Sequence, residues 1–254
     1  MMFAQRALRM IVVIVLISLT SWRVQAGEIV VYGGEAFKPQ SYLENGVPAG
    51  IIPKLFQRLS QDTGDHYKLV LLPWKRAVGE STAGNGGITS FTKTVERTKV
   101  FDYSEPIFRN KVQLIVLKEK VFTFKTLADL KGKVIGLPLG SSFGDAFDQA
   151  ARDEIFVTEA DNNQVSRIKK LLLGRIDVAV IGTVSFNQVI ASDPALYVNR
   201  RKFTFIPNAG IEDNMYLAFP KSMQMGPAIR RFNRALVALK KTKEYQDIVG
   251  GYAN

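Results

Sequence analysis

Apolar residues recur along this chain in two alternating rhythms. Ile51, Ile52, Leu55, Phe56 and Leu59 return every three or four positions, the spacing that gives a helix one apolar stripe. Val165, Ile168, Leu171 and Leu172 repeat it, as do Ile229, Phe232, Leu236 and Leu239. Between these helices stand short β-rich or continuously apolar runs at 28–32, 67–72, 112–117, 134–137, 155–158, 175–181 and 215–219. Gly33-Gly34, Asn45-Gly46 and Gly174 punctuate them, and Pro73 opens a helix at Trp74. Asp161 is expected to cap the helix that carries Val165, and His66 to lie in a loop. Strand and helix alternate through two runs, the second over roughly residues 114–210. This predicts an α/β fold with largely parallel sheets.

The first 26 residues stand apart from that pattern. Arg6 and Arg9 precede a nine-residue apolar stretch, 11–19, and Val24-Gln25-Ala26 offers a small-residue cleavage site before Gly27. This reads as a cleavable signal peptide over 1–26, since the apolar run is shorter than the roughly 20 residues a membrane span needs. No later stretch is apolar enough to span a bilayer, so the mature chain is expected to be exported and soluble. The absence of Cys excludes disulfides and thiolate chemistry, and a single His, His66, argues against a His-based zinc site or a Ser-His-Asp triad. Of the net charge of +11, Arg6, Arg9 and Arg23 supply three, leaving +8. The remaining Lys and Arg are scattered in short clusters, so no nucleic-acid partner is expected.

Candidate chemistry concentrates in 87–106, GITSFTKTVERTKVFDYSEP. Thr89, Ser90 and Thr92 place three hydroxyls in four positions, and Arg97 follows five residues later. A guanidinium offers a rigid fork of N–H donors that matches two carboxylate oxygens, so the cluster suits a carboxylate. A solvated Arg97 beside capping hydroxyls is the plain alternative. Gly140-Ser141-Ser142-Phe143-Gly144 then opens a helix. It offers backbone N–H groups to an anion, or else a capping box from Ser142 to Asp145.

In this order, Gly46-x-x-x-Gly50-Ile51, Thr94-x-x-Arg97, Phe101-Asp102-Tyr103-Ser104-Glu105-Pro106, Leu127-x-Asp129-Leu130-Lys131-Gly132-Lys133-x-Ile135-Gly136 and Gly174-Arg175-Ile176-Asp177 resemble the bacterial extracellular solute-binding proteins of family 3. These serve polar amino-acid ABC transporters. The Pro73-Trp74-Lys75-Arg76-Ala77 element resembles a subgroup of them. The resemblance implies a type II clamshell of two lobes, each a mixed, mostly parallel sheet flanked by helices. Residues 27–111 plus 214–254 would form lobe 1, and 112–213 lobe 2. It also implies a periplasmic monomer that hands a small carboxylate or amino acid to an inner-membrane ABC permease, with no cofactor, no metal and no catalysis. Phe37 and Trp74 fall at positions that wall the ligand. Ser90, Thr92 and Arg97 fall at those that hold its carboxylate from lobe 1, and Ser141 and Ser142 at those that do so from lobe 2. Thr183 completes the set.

One position departs from the family. Where its amino-acid binders carry an acid for the ligand's α-ammonium, this chain has Gly182, and an unpaired buried charge is costly. Glu35, Glu212 and Asp213 are loop candidates to replace it; otherwise the ligand lacks an α-ammonium. A sensor that presents its ligand to a membrane receptor is a second reading. A periplasmic lyase resembling cyclohexadienyl dehydratase is a third.

Overall fold

The computed structural model describes residues 27–250. The expected leader 1–26 lies outside the described residues, as do the side chains of Asn110, Glu212 and Asp213. Strand β1 (Glu28–Gly34) opens the first lobe, and β2 (Ala36–Phe37), β3 (Ser41–Glu44) and β4 (Val47–Ala49) form a small antiparallel sheet beside it. Helix α1 (Ile51–Thr63), β5 (His66–Leu72), α2 (Trp74–Thr82), β6 (Gly87–Phe91), α3 (Val95–Val100) and β7 (Phe101–Tyr103) follow. The long strand β8 (Phe108–Leu117) carries the chain into the second lobe. There β9 (Val134–Pro138), α4 (Asp145–Arg152), β10 (Val157–Asp161) and α5 (Gln164–Leu172) precede β11 (Val178–Gly182), α6 (Thr183–Ser192), α7 (Pro194–Val198) and β12 (Phe203–Phe205). Strand β13 (Ile211–Pro220) returns the chain, and α8 (Gly226–Leu239) and α9 (Lys243–Val249) close the first lobe.

Each lobe has a mixed sheet. β1 runs parallel to β5 and β6, while β13 lies antiparallel to β6 and β7. In the second lobe β9 is parallel to β10 and β11, while β8 is antiparallel to β11 and β12. The parallel pairs come from βα crossovers; the antiparallel ones involve the strands that cross between lobes. Those two strands also pair with each other, from Met215 opposite Phe108 to Ile211 opposite Val112. One antiparallel ladder of two strands thus joins the lobes.

The apolar stripe of α1 is buried as its spacing predicts, against Phe232 and Leu236 of α8. Phe56, Tyr67 and Phe232 meet with ring centroids 5.5–5.8 Å apart. Fully burying one such side chain contributes roughly 1.5–3 kcal/mol, so this cluster is a main source of the first lobe's stability. Asn45 and Gly46 both have positive φ, 52° and 80°, as a tight hairpin between β3 and β4 requires.

Four local expectations are corrected. His66 begins β5, where it pairs with Glu28 of β1, and is not in a loop. Asp161 ends β10; the cap of α5 is Asn163, whose side chain accepts the Ser166 N–H at 2.8 Å. Gly144, not Ser142, is the N-cap of α4. Glu212 and Asp213 lie in β13, opposite Lys111 and Asn110 in the ladder between the lobes, not in a loop. Among the described residues no helix is long and apolar enough to cross a membrane.

Candidate functional site in the interlobe cleft

The first-lobe wall is built on a defect in β6. Tyr216 pairs with Phe91 and Ala218 with Ile88, so Leu217 alone faces both Thr89 and Ser90. That extra residue makes a β-bulge, which re-aims side chains out of the normal alternation. Ser90 takes a left-handed backbone, φ 55°, which costs a non-glycine residue free energy. Its hydroxyl is buried, has no hydrogen-bond partner among the described residues, and lines the cleft. A buried donor left unmatched is destabilising unless something outside the fold completes it.

Arg97 stands behind this wall. Thr94 caps α3 by accepting the Arg97 N–H at 3.2 Å, which fixes where the side chain starts. The guanidinium lies 4.0 Å from the Phe91 ring centroid, and its Nη1 donates to the Thr92 carbonyl at 3.0 Å. Tyr103 stacks on the other partner of this arrangement, its ring 6.1 Å from Phe91 and its hydroxyl donating to the same carbonyl at 3.4 Å. Burial raises the Tyr103 phenol above its ordinary pKa, with the nearby Arg97 cation opposing, so it remains a neutral donor. Arg97 is not among the residues that line the main cavity.

Phe37 and Trp74 wall the cavity side by side, edge to face with ring centroids 6.0 Å apart. Gly34 makes this packing feasible: a Cβ there would sit 2.2 Å from the Phe37 ring. Opposite, the turn after β9 supplies Ser141 and Ser142. Their hydroxyl protons are used within the lobe, Ser141 on the Pro138 carbonyl at 2.7 Å and Ser142 on the Asp148 carboxylate. Both hydroxyls therefore face a ligand chiefly as acceptors. Thr183 is exposed and lies off the cavity, whereas its neighbour Gly182 lines it.

The lobes touch across the cleft. Trp74 Nε1–H donates to the Gly140 carbonyl at 3.1 Å and Thr92 Oγ1 to the Ser142 carbonyl at 3.3 Å. Ser185 Oγ donates to the Lys38 carbonyl at 2.7 Å, and Val184 packs against the first-lobe core. Asp145 accepts the Val95 N–H. This is a closed arrangement.

The cavity is about 90 Å³, against the roughly 10–15 Å³ one water needs on the same measure, so it admits a small molecule. Of the expected site residues, it brings together Phe37, Trp74, Ser90, Thr92, Ser141 and Ser142. Among the described residues no Asp or Glu lines it; Glu35 faces a narrower adjoining space, beside Asp161. No group of His, Cys, Asp or Glu suited to a metal occurs among the described residues. Sequence reasoning missed Arg167. Its side chain is 2% exposed, lines both spaces and pairs with Asp161 through two 2.7 Å hydrogen bonds. The one available signal was a cation directly beside the apolar face of α5.

Fold and cleft define a two-lobed binding protein of the type II periplasmic class. A family model described as "Bacterial extracellular solute-binding proteins, family 3" matches residues 29–254, and the chain belongs to that family. It is 30% identical over 165 residues to the "ABC transporter arginine-binding protein 1" of Escherichia coli (strain K12). That match covers 63% of each chain, so it spans less than two thirds of this relative. Among solved structures, the arginine-, lysine-, histidine-binding protein ArtJ of Geobacillus stearothermophilus superposes with a TM-score of 0.71 at 21% identity, covering 89% of this chain and 95% of its own. A histidine kinase sensor domain with similarity to periplasmic binding proteins reaches 0.75 at 19% identity, covering 91% and 97%. At such identities these structures support the fold.

Proposed function

We propose that this chain captures a small carboxylate-bearing solute, an amino acid or a related compound, in the interlobe cleft for import by an inner-membrane ABC permease. The observation that carries this reading is Ser90: a buried, unpartnered hydroxyl, held by a bulge in a costly backbone conformation, lining a cavity between two lobes. Ser90 donates to the carboxylate, Thr92, whose hydroxyl proton goes to the Ser142 carbonyl, lines the wall beside it, and Arg97 supplies the positive charge from behind Thr92. Phe37 and Trp74 hold the apolar body of the solute, while the Ser141-Ser142 turn closes over it. Residues 27–111 plus 214–254 and residues 112–213 are the moving units, and β8 and β13 the hinge. The solute favours closure because it contacts both units only when they meet. The protein acts as a periplasmic monomer delivered by a cleavable signal peptide.

Membership of a solute-binding family supports a binding role. The described lining offers hydroxyls, amides and a paired guanidinium, groups suited to holding a solute. Titration calorimetry of Arg97→Ala against wild type tests the reading. Loss of the positive charge behind the Ser90–Thr92 wall predicts a weakening of roughly tenfold or more with the fold intact. Unchanged affinity, or an unfolded variant, assigns Arg97 to structure.

A further inference from the structure

Arg167 is a buried cation that the proposed carboxylate clamp does not use. It sits on α5 at the second-lobe end of the cavity, and its stem passes over Gly136, where a Cβ would come within 3.1 Å of Arg167 Cγ. Nε and Nη2 donate to the two Asp161 oxygens at 2.7 Å, and Nη1 donates to the Val180 carbonyl at 2.8 Å. A guanidinium has five N–H donors. Three are used, so two remain on a side chain that is almost wholly buried and that lines the cavity. Leaving charged donors unmatched in such a place is expensive, and a buried ion pair by itself is weak evidence for a stabilising role.

Charge decides what those donors receive. Asp161 already neutralises Arg167, so a second carboxylate would arrive as an uncompensated buried anion. An ammonium would face donors only. An uncharged oxygen acceptor satisfies the two N–H groups at no charge cost, and the Gln164 amide at the same end of the cavity suits the polar remainder of such a group.

We propose that Arg167 is a ligand-contacting specificity residue that receives a neutral carbonyl oxygen, of an amide or ketone, at the second-lobe end of the solute, with Asp161 as its positioning residue. This rests on the carboxylate reading above. The solute is thus a small acid with a carbonyl-bearing far end.

The test compares acids of equal length whose far end alone differs: glutaramate, glutarate, pentanoate and 5-aminopentanoate, with their four-carbon counterparts. In wild type the amide of one length binds tightest, by roughly tenfold or more over the methyl-terminated acid. In Arg167→Met with Asp161→Val, an apolar pair that can keep the fold, that preference falls to within about twofold. Arg97→Ala instead weakens every acid alike, which separates this inference from the clamp itself. Equal binding of amide and methyl ends in wild type, a preference for the diacid or the ammonium, or a preference that survives the double substitution overturns the inference. Failure of every acid to bind overturns this inference, and failure of glutamine and the other α-amino acids as well overturns the carboxylate reading. Should the double variant fail to fold, side-chain 15N spectra of wild type decide. Arg167 Nη–H resonances shift with glutaramate and not with pentanoate if the inference holds, and respond alike to both if it does not.

Discussion

Asp145 of the second lobe accepts the backbone N–H of Val95 in the first, with its two oxygens 3.1 and 3.2 Å from that nitrogen. Val95 is the first residue of α3 and Asp145 the first of α4, so a carboxylate from one lobe satisfies an orphan helix donor of the other. The contact bridges the two lobes across the cleft, so under the proposed closure it belongs to the closed form. Asp145→Ala is therefore expected to weaken solute binding by roughly 2- to 10-fold, the value of one partly exposed hydrogen bond. The unliganded melting temperature should move little. Asp145→Asn, which keeps an acceptor oxygen, should lose less. Equal affinities for all three proteins would remove Asp145 from the closing mechanism.

The bulge at Ser90 sets stability against binding. Ser90→Gly relieves the positive-φ strain and removes an unmatched hydroxyl, so the unliganded protein should gain roughly 1 kcal/mol. Its solute affinity should fall by roughly tenfold or more if the hydroxyl meets a carboxylate. Chemical denaturation and calorimetry on the same samples measure both. A variant that is less stable yet binds normally would make the bulge a packing feature.

Trp74 offers a direct optical readout. The sequence holds two tryptophans, Trp22 within the expected leader and Trp74 in the cleft. After leader removal, tryptophan emission excited at the red edge, where tyrosine does not absorb, reports the cavity wall alone. Solute addition should change its intensity or wavelength with a saturable dependence. Trp74→Phe keeps an aromatic wall but loses the bond to the Gly140 carbonyl, and a roughly 2- to 10-fold weakening is expected. No fluorescence response to a solute that calorimetry shows to bind would place the ligand away from Trp74.

Periodic features were legible in the sequence because local burial dictates them. The α1 and α8 stripes and the strands around 112–117 and 175–181 all recur as core. The Ser90, Thr92, Phe37 and Trp74 positions reached the cavity because they belong to a motif order that resembles the family. What the sequence concealed was pairing at a distance. Asp161 reads locally as a helix cap, since Asp favours that position; its partnership with Arg167 needs β10 and α5 folded together. The bulge was also hidden, because a one-residue mismatch belongs to two strands, β6 and β13, over a hundred positions apart. Hydroxyl commitments behave likewise: Ser141 and Ser142 read as donors until Pro138 and Asp148 are seen to take their protons.

The central claim is that the cleft holds a small carboxylate. Denaturing the purified protein and analysing what it releases by mass spectrometry tests it most directly. The expected result is a small acid recovered in near-equal molar amount from wild type, and strongly depleted in folded Arg97→Ala and Ser90→Gly. A released compound without a carboxyl group, or equal recovery from all three proteins, contradicts the account.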